Sequence, residues 1–236
     1  MMLTPDIFEF LVDLKENNTR EWMEANRSRY EAARVNLLAL IQEVLDEMGA
    51  FEPHVRMSKP QKSILRINRN LRFSKDKTPY KHFMGAIFSK DDAHRSYLPD
   101  YYLHIQPDNC FLAGGSWFPT GEPMAKIRAK IDREGDRLEA IIQDEDFQAY
   151  FGGIEGPKLK SSPRDYPKDH PYIHLLNHKT FTTSHKLTHE ILMQEDAPQI
   201  IAEGFRAFKP FYDFLVEALS VEEEKQTGFS SGIQLI

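Results

Sequence analysis

Residues 100–115 read Asp100-Tyr101-Tyr102-Leu103-His104-Ile105-Gln106-Pro107-Asp108-Asn109-Cys110-Phe111-Leu112-Ala113-Gly114-Gly115. Two runs rich in aromatic and aliphatic side chains flank Pro107-Asp108-Asn109, residues that favour tight turns. So short a connection joins antiparallel strands and leaves no room for a crossover helix. Strands are therefore predicted at 100–106 and 109–115, with others at 83–89 and 63–69. In the last of these, Leu65 and Ile67 share one face, and Ile64, Arg66 and Asn68 share the other. Gly114-Gly115 ends the meander. It fits neither the Rossmann nor the Walker pattern and signals a bulge or a close backbone approach.

Helices are predicted on both sides of these strands. Thr4-Pro5 is a helix start, with Phe8, Leu11, Val12 and Lys15 on one face, and Asn17-Asn18 breaks the pattern. Thr19 then caps a helix read as continuous over residues 19–48, with Trp22, Asn26, Tyr30, Ala33, Leu37, Ile41, Val44 and Met48 at helical spacing and Gly49 as its stop. Helices return at 123–133 and 136–150, and Asp169 is expected to cap a short one. A final helical region follows Asp196, where Phe205, Phe208, Phe211, Phe214 and Leu215 form a core stripe that Pro210 should kink or divide. Helices, then sheet, then helices define the α+β class. The expected architecture is a central antiparallel sheet (about residues 63–115) packed with N- and C-terminal helices. One domain covers residues 1–220, and a polar, flexible tail covers 221–236.

The chain has 236 residues, 41% hydrophobic and 28% charged, which is the balance of a soluble domain. One cysteine, Cys110, excludes an intrachain disulfide, fits a reducing compartment and reads as a buried small hydrophobe. No apolar run reaches the roughly 18–20 residues of a membrane span, and Met1 to Lys15 lacks a secretory pattern. The expectation is a cytoplasmic protein without a membrane partner. The net charge of −6 hides a contrast: residues 53–82 hold nine lysines and arginines against one acidic residue, Asp76. A local excess of this kind favours anionic ligands.

The densest chemistry runs from Arg66 to Lys81. Strand alternation puts Arg66, Asn68, Asn70 and Arg72 on one face and Arg69 on the other, with Lys75 and Lys77 in a turn. Arginine offers a planar fork to phosphate or carboxylate, and lysine a point charge. Cations this close need a counter-anion, from Asp76, from carboxylates elsewhere or from a ligand. Arg66, Arg69, Arg72, Lys75, Lys77, Tyr80 and Lys81 form the candidate ligand-binding set. The expected function is binding, with or without turnover, of a phosphorylated or other anionic small molecule. In an enzyme the cations would stabilise developing negative charge, and Asp76, Tyr80 or His82 would move protons. One alternative is nucleic-acid binding by the same patch, with Phe73 and Tyr80 stacking on bases. Another is a non-catalytic structural or interaction protein. No reaction, cofactor or oligomeric state follows from these residues. His170, His174 and His178, and His185 and His189, recur at four-residue steps but enclose no acidic partner, and no metal site is assigned.

Phe10-Leu11-x-x-Leu14-Lys15-x-Asn17-Asn18-x-Arg20-Glu21-Trp22 and Arg72-Phe73-Ser74-Lys75-Asp76-Lys77-x-Pro79-Tyr80-Lys81 resemble signatures of a bacterial and fungal family, domain of unknown function number twenty-four sixty-one. Gly114-Gly115-x-Trp117, Ile127-Arg128 and Leu159-Lys160-x-x-Pro163-Arg164 share the likeness, which spans about residues 4–219. The resemblance implies one domain and an important basic loop, and no particular reaction. It adds Asn18, Arg20, Trp22, Lys160 and Arg164 as secondary candidates. The family usually shows Arg-Asp before the Arg-Phe-Ser stretch, whereas here Arg69 precedes Asn70. A mechanism needing a carboxylate at that position does not transfer to this chain.

Overall fold

The computed structural model describes residues 2–55, 58–72, 74–88 and 97–220. Its centre is a four-stranded antiparallel sheet of β1 (Met84–Phe88), β2 (Asp100–Ile105), β3 (Cys110–Ser116) and β4 (Phe181–Leu187), in that spatial order. The β2–β3 turn is tight: Asp108 takes φ 62°, and the Asn109 N–H donates to the Gln106 carbonyl at 3.0 Å. Residues 63–115 supply most of the sheet, as expected: three of its four strands, with the fourth coming from 181–187. One expectation is corrected here. Residues 63–69 are not a regular strand, because Pro60–Ser63 forms a helical turn and pairing resumes only at the isolated bridges Ile64–Ala86 and Asn68–Tyr80.

Around the sheet lie α1 (Pro5–Glu16), α2 (Arg20–Ala25), α3 (Arg27–Met48), α4 (Pro60–Ser63), α5 (Glu122–Gln143), α6 (Glu145–Tyr150), α7 (Ile173–Leu176), α8 (His189–Leu192) and α9 (Ala197–Ser220). The helix expected over 19–48 is two helices, broken at Asn26. Its side chain donates to the Trp22 carbonyl at 2.9 Å and competes locally with the helix. Gly49 caps α3 in the right-handed region, at φ −57°, so its lack of a side chain is not what stops the helix. The break expected near residue 134 is a kink within α5, where Glu134 leaves helical geometry. The Tyr172 ring packs there against Gly135, so closely that a Cβ would lie 2.3 Å from it. α7 begins at Ile173, after Tyr172, and Asp169 does not cap it.

α9 crosses one face of the sheet and packs against α3 and α5. Its stripe of Phe205, Phe208, Phe211, Phe214 and Leu215 is buried as expected. Tyr101 meets Phe205 and Phe208 edge-on, both at 5.3 Å. Pro210 does not divide the helix: it lies on the exposed side, where water can satisfy the carbonyl it frees. The other sheet face carries Ile87, Tyr102, Phe111 and Ser184, all half-buried. No helix among the described residues is long and apolar enough to cross a membrane. Residues 221–236, read as a tail, lie outside the described residues.

Candidate functional site

The basic stretch forms an irregular hairpin on the β1 edge of the sheet. The Leu65 N–H donates to the Gly85 carbonyl, Lys81 N–H to Ile67 and Arg69 N–H to Pro79, at 2.8–2.9 Å. Between the two bridges the returning arm carries two residues more than the outgoing one, a bulge that frees His82 and Phe83 from the ladder. Alternation holds on the outgoing arm: Ile67 is buried, while Arg66, Asn68 and Asn70 are exposed.

Asn18, at the turn between α1 and α2, braces the hairpin. Its carboxamide donates to the Tyr80 carbonyl at 2.9 Å and accepts from the Tyr80 N–H at 3.0 Å, acting as a single residue of strand. Thr19 meanwhile caps α2 by accepting from the Trp22 N–H at 3.1 Å. Trp22 is half-buried against Phe10, and Arg20 is exposed. Asn18 thus positions the site, and Tyr80 is held through its backbone.

The cations of the hairpin divide by what they touch. Arg69 turns inward and staples the loop, donating to the Asp76 carboxylate, the Thr78 hydroxyl and the Ser74 hydroxyl. Lys77 donates to the Leu71 carbonyl at 3.2 Å and Lys81 to the Arg66 carbonyl at 2.8 Å. Among the described residues no carboxylate pairs with Arg66, Lys75, Lys77 or Lys81. Arg72 is exposed, and its N–H donates to Asn70 Oδ1 at 3.2 Å, a turn that an amide forms as well as a carboxylate does. The Lys81 ammonium is pushed below the usual lysine range, by burial first and then by Arg66. Phe73, expected to stack on bases, lies outside the described residues.

Asp76 is unsuited to moving protons near neutrality. The Thr78 N–H, then Arg69 and the Thr78 hydroxyl, hold its carboxyl at about 2. A carboxyl depressed below its unfolded value near 3.9 supports the fold above that value and loses its support as pH falls through about 2. The Asp76 carboxyl carbon resonance should therefore titrate with a midpoint near pH 2. A midpoint near 4 would show that the Arg69 staple does not persist in solution.

Lys160 and Arg164 are exposed and sit elsewhere. Their loop bridges to β4 through Glu155–Thr182, at the sheet edge opposite the hairpin. Three strand spacings, about 14 Å, separate the two edges. The histidines are engaged singly. His170 Nε2 meets Asp132 at 2.9 Å, and His174 meets Glu139 at 3.1 Å. His185 meets the Tyr150 carbonyl, and His189 stacks on Phe8. His178 is buried, and burial, then Lys158 and His174, lower it to about 4. Among the described residues no three metal-ligating side chains converge. Cys110 is buried, and burial pushes its thiol up. An open groove of about 420 Å³ between α5 and α9 is lined by Arg137, Ile141, Lys209, Pro210, Asp213, Val216 and Glu217. Its charges are already paired, Arg137 with Glu217 at 2.6 Å and Lys209 with Asp213 at 2.7 Å.

Reading the sequence for charge missed a second group beside the hairpin. Phe83, in the bulge, lies under the Lys81 ammonium at 5.6 Å and against the His104 ring at 4.5 Å. His104 stacks on Phe111 at 4.6 Å on its other neighbour strand. Its Nδ1 lies 2.6 Å from the Tyr102 hydroxyl, and its Nε2 3.1 Å from Gln106 Oε1. Burial lowers the His104 pKa, which the Gln106 bond partly counters and His82 reinforces, and burial raises that of Tyr102. The signal was present as Asp100-x-Tyr102-x-His104-x-Gln106, polar groups at period two interleaved with Tyr101, Leu103 and Ile105.

The chain belongs to the conserved hypothetical protein family DUF2461, whose match covers residues 6–214. No curated protein and no solved structure matches it.

Proposed function

We propose that the hairpin binds a phosphorylated or otherwise anionic small molecule between Arg66 and Lys81. The observation that carries this is a like-charge pair with no acid among the described residues to offset it. Lys81 donates to the Arg66 carbonyl, and among the described residues neither side chain meets a carboxylate. An anion between them would remove their repulsion and replace the water Lys81 has lost. Lys75 and Lys77 lie on the same hairpin's loop, beyond the Asn68–Tyr80 bridge, where Lys77 donates to the Leu71 carbonyl. Arg69 is committed to Asp76 and is not counted as a ligand group. Whether turnover follows binding, the cations suit stabilising negative charge. A buried single thiol, Cys110, accords with a reducing, cytoplasmic setting.

Calorimetric titration with inorganic phosphate and pyrophosphate tests the reading. Binding should be lost in Arg66→Ala/Lys81→Ala, while the melting midpoint stays or rises as the cation repulsion is relieved. Unchanged binding in that variant would refute it. Nucleic-acid binding shares the cations and differs in salt dependence. A labelled duplex would then bind with a log–log salt slope of about −0.9 per neutralised phosphate, and the phosphate titrations would be silent.

A further inference from the structure

We propose that the half-exposed sheet face beside the hairpin receives a nucleobase, so that the anionic ligand is a nucleoside phosphate. The inference rests on the anion-binding reading above and adds the chemistry attached to the anion. Three observations support it.

The two halves are continuous. Phe83 is shared between them, touching the Lys81 ammonium on one hand and the His104 ring on the other. These contacts put ammonium and imidazole within the reach of one nucleoside monophosphate. The face also offers flat surfaces. Phe83, Tyr102 and Phe111 are half-exposed rings gathered around His104 on the side of the sheet away from α9. Stacking on such rings accepts any base. Gly85 keeps this side low: a Cβ there would lie 3.2 Å from the Tyr102 ring.

The third observation selects the ligand's polarity. Gln106 is placed with its Oε1 towards His104 Nε2, and we assign that nitrogen the hydrogen. Burial keeps the imidazole neutral, which leaves Nδ1 as an acceptor. In that tautomer the Tyr102 hydroxyl donates to Nδ1, across 2.6 Å. Its own oxygen remains as an acceptor for a ligand. A purine bearing an exocyclic amine supplies the matching N–H, whereas a bare hydrocarbon ring does not. Tyr102 is the ligand-touching group in this scheme. His104 and Gln106 are positioning residues that fix which way the phenol points.

Four probes separate the parts in one calorimetric series: inorganic phosphate, ribose 5-phosphate, purine riboside 5′-phosphate and adenosine 5′-monophosphate. Adenosine monophosphate should bind about fivefold or more tighter than ribose 5-phosphate, from stacking. It should bind about threefold to tenfold tighter than purine riboside 5′-phosphate, which lacks the amine. Tyr102→Phe should erase that second ratio and leave phosphate binding unchanged. His104→Asn should shrink the same ratio, because the phenol is then free to turn, whereas a misfolded variant would lose all four ligands together. The comparison of the two purine phosphates uses the wild-type chain and does not depend on any variant folding. Equal affinity for adenosine monophosphate and ribose 5-phosphate, with phosphate still bound, would overturn the base site and leave the anion site standing. Failure of all four probes to bind would overturn both.

Discussion

Gly115→Ala will cost about 3–5 kcal/mol of stability, combining backbone strain with overpacking. Gly115 adopts φ +120°, which L side chains rarely take, and its Cβ would sit 2.0 Å from the Phe181 carbonyl oxygen. That oxygen belongs to the backbone of β4, paired with β3 through Gly115–Thr182 and Ser116–Phe181. It cannot rotate away as a side chain can. Gly114→Ala should cost less, because its Cβ would meet the Phe208 ring at 2.3 Å and a ring can tilt, though Phe208 is fully buried. Gly152→Ala is the control. Its φ is +68° with nothing within 4 Å, so the backbone penalty of about 1–2 kcal/mol stands alone. Thermal melts should show Gly115→Ala lower by ~10 °C, given about 2–4 °C per kcal/mol at this size. A midpoint within two or three degrees of wild type would mean that β4 does not pair with β3 in this register.

That prediction turns on the strand the sequence reading overlooked. The meander of β1, β2 and β3 was legible because period-two patterning and a three-residue turn are local signals. β4 blurs that alternation: Phe181, Thr182 and Thr183 are all buried in succession, and Leu187 is the next buried residue. The strand holds one histidine, His185, whose spacing to His189 in α8 is the only feature read from this stretch, and its partner strand lies some seventy residues away. Distance along the chain erases turn chemistry as a clue. The glycine pair was rightly read as a close approach, yet only the fold shows that Phe208 and Phe181 do the approaching. The basic loop was equally legible as composition. Its internal division was not, since whether an arginine meets Asp76 or solvent depends on how a nine-residue excursion folds back. The Tyr102–His104 pair went unread because a sequence does not say which face of a sheet a helix leaves uncovered.

Lys209→Met will destabilise the protein by about 3 kcal/mol, the lower end of what orphaning a buried charge costs. Glu52 follows α3, and its side chain is 5% exposed. Its Oε2 accepts from the Tyr101 hydroxyl at 3.2 Å and lies 3.5 Å from the Lys209 ammonium. Lys209 also meets Asp213, at 2.7 and 2.9 Å. Asp213 reaches solvent, whereas Glu52 has the fully buried Tyr101 on one side and Lys209 on the other. Without the ammonium, the Glu52 carboxylate is left buried without that countercharge, which costs free energy. Glu52→Gln keeps an acceptor for Tyr101 and should cost less alone. In the Lys209→Met background it should restore part of the loss, because no charge is left stranded. Urea melts of the four proteins should therefore give a coupling of at least ~1 kcal/mol. Strict additivity would show that Glu52 and Lys209 do not interact. Alkali gives an independent check. Burial lowers the Lys209 pKa, but Asp213 and Glu52 outweigh it and hold the ammonium above its ordinary value. A raised folded-state value means stability fully present below about pH 10.4 and lost as pH climbs through the folded pKa. The wild-type chain should lose this increment in strong alkali, and Lys209→Met should have none to lose.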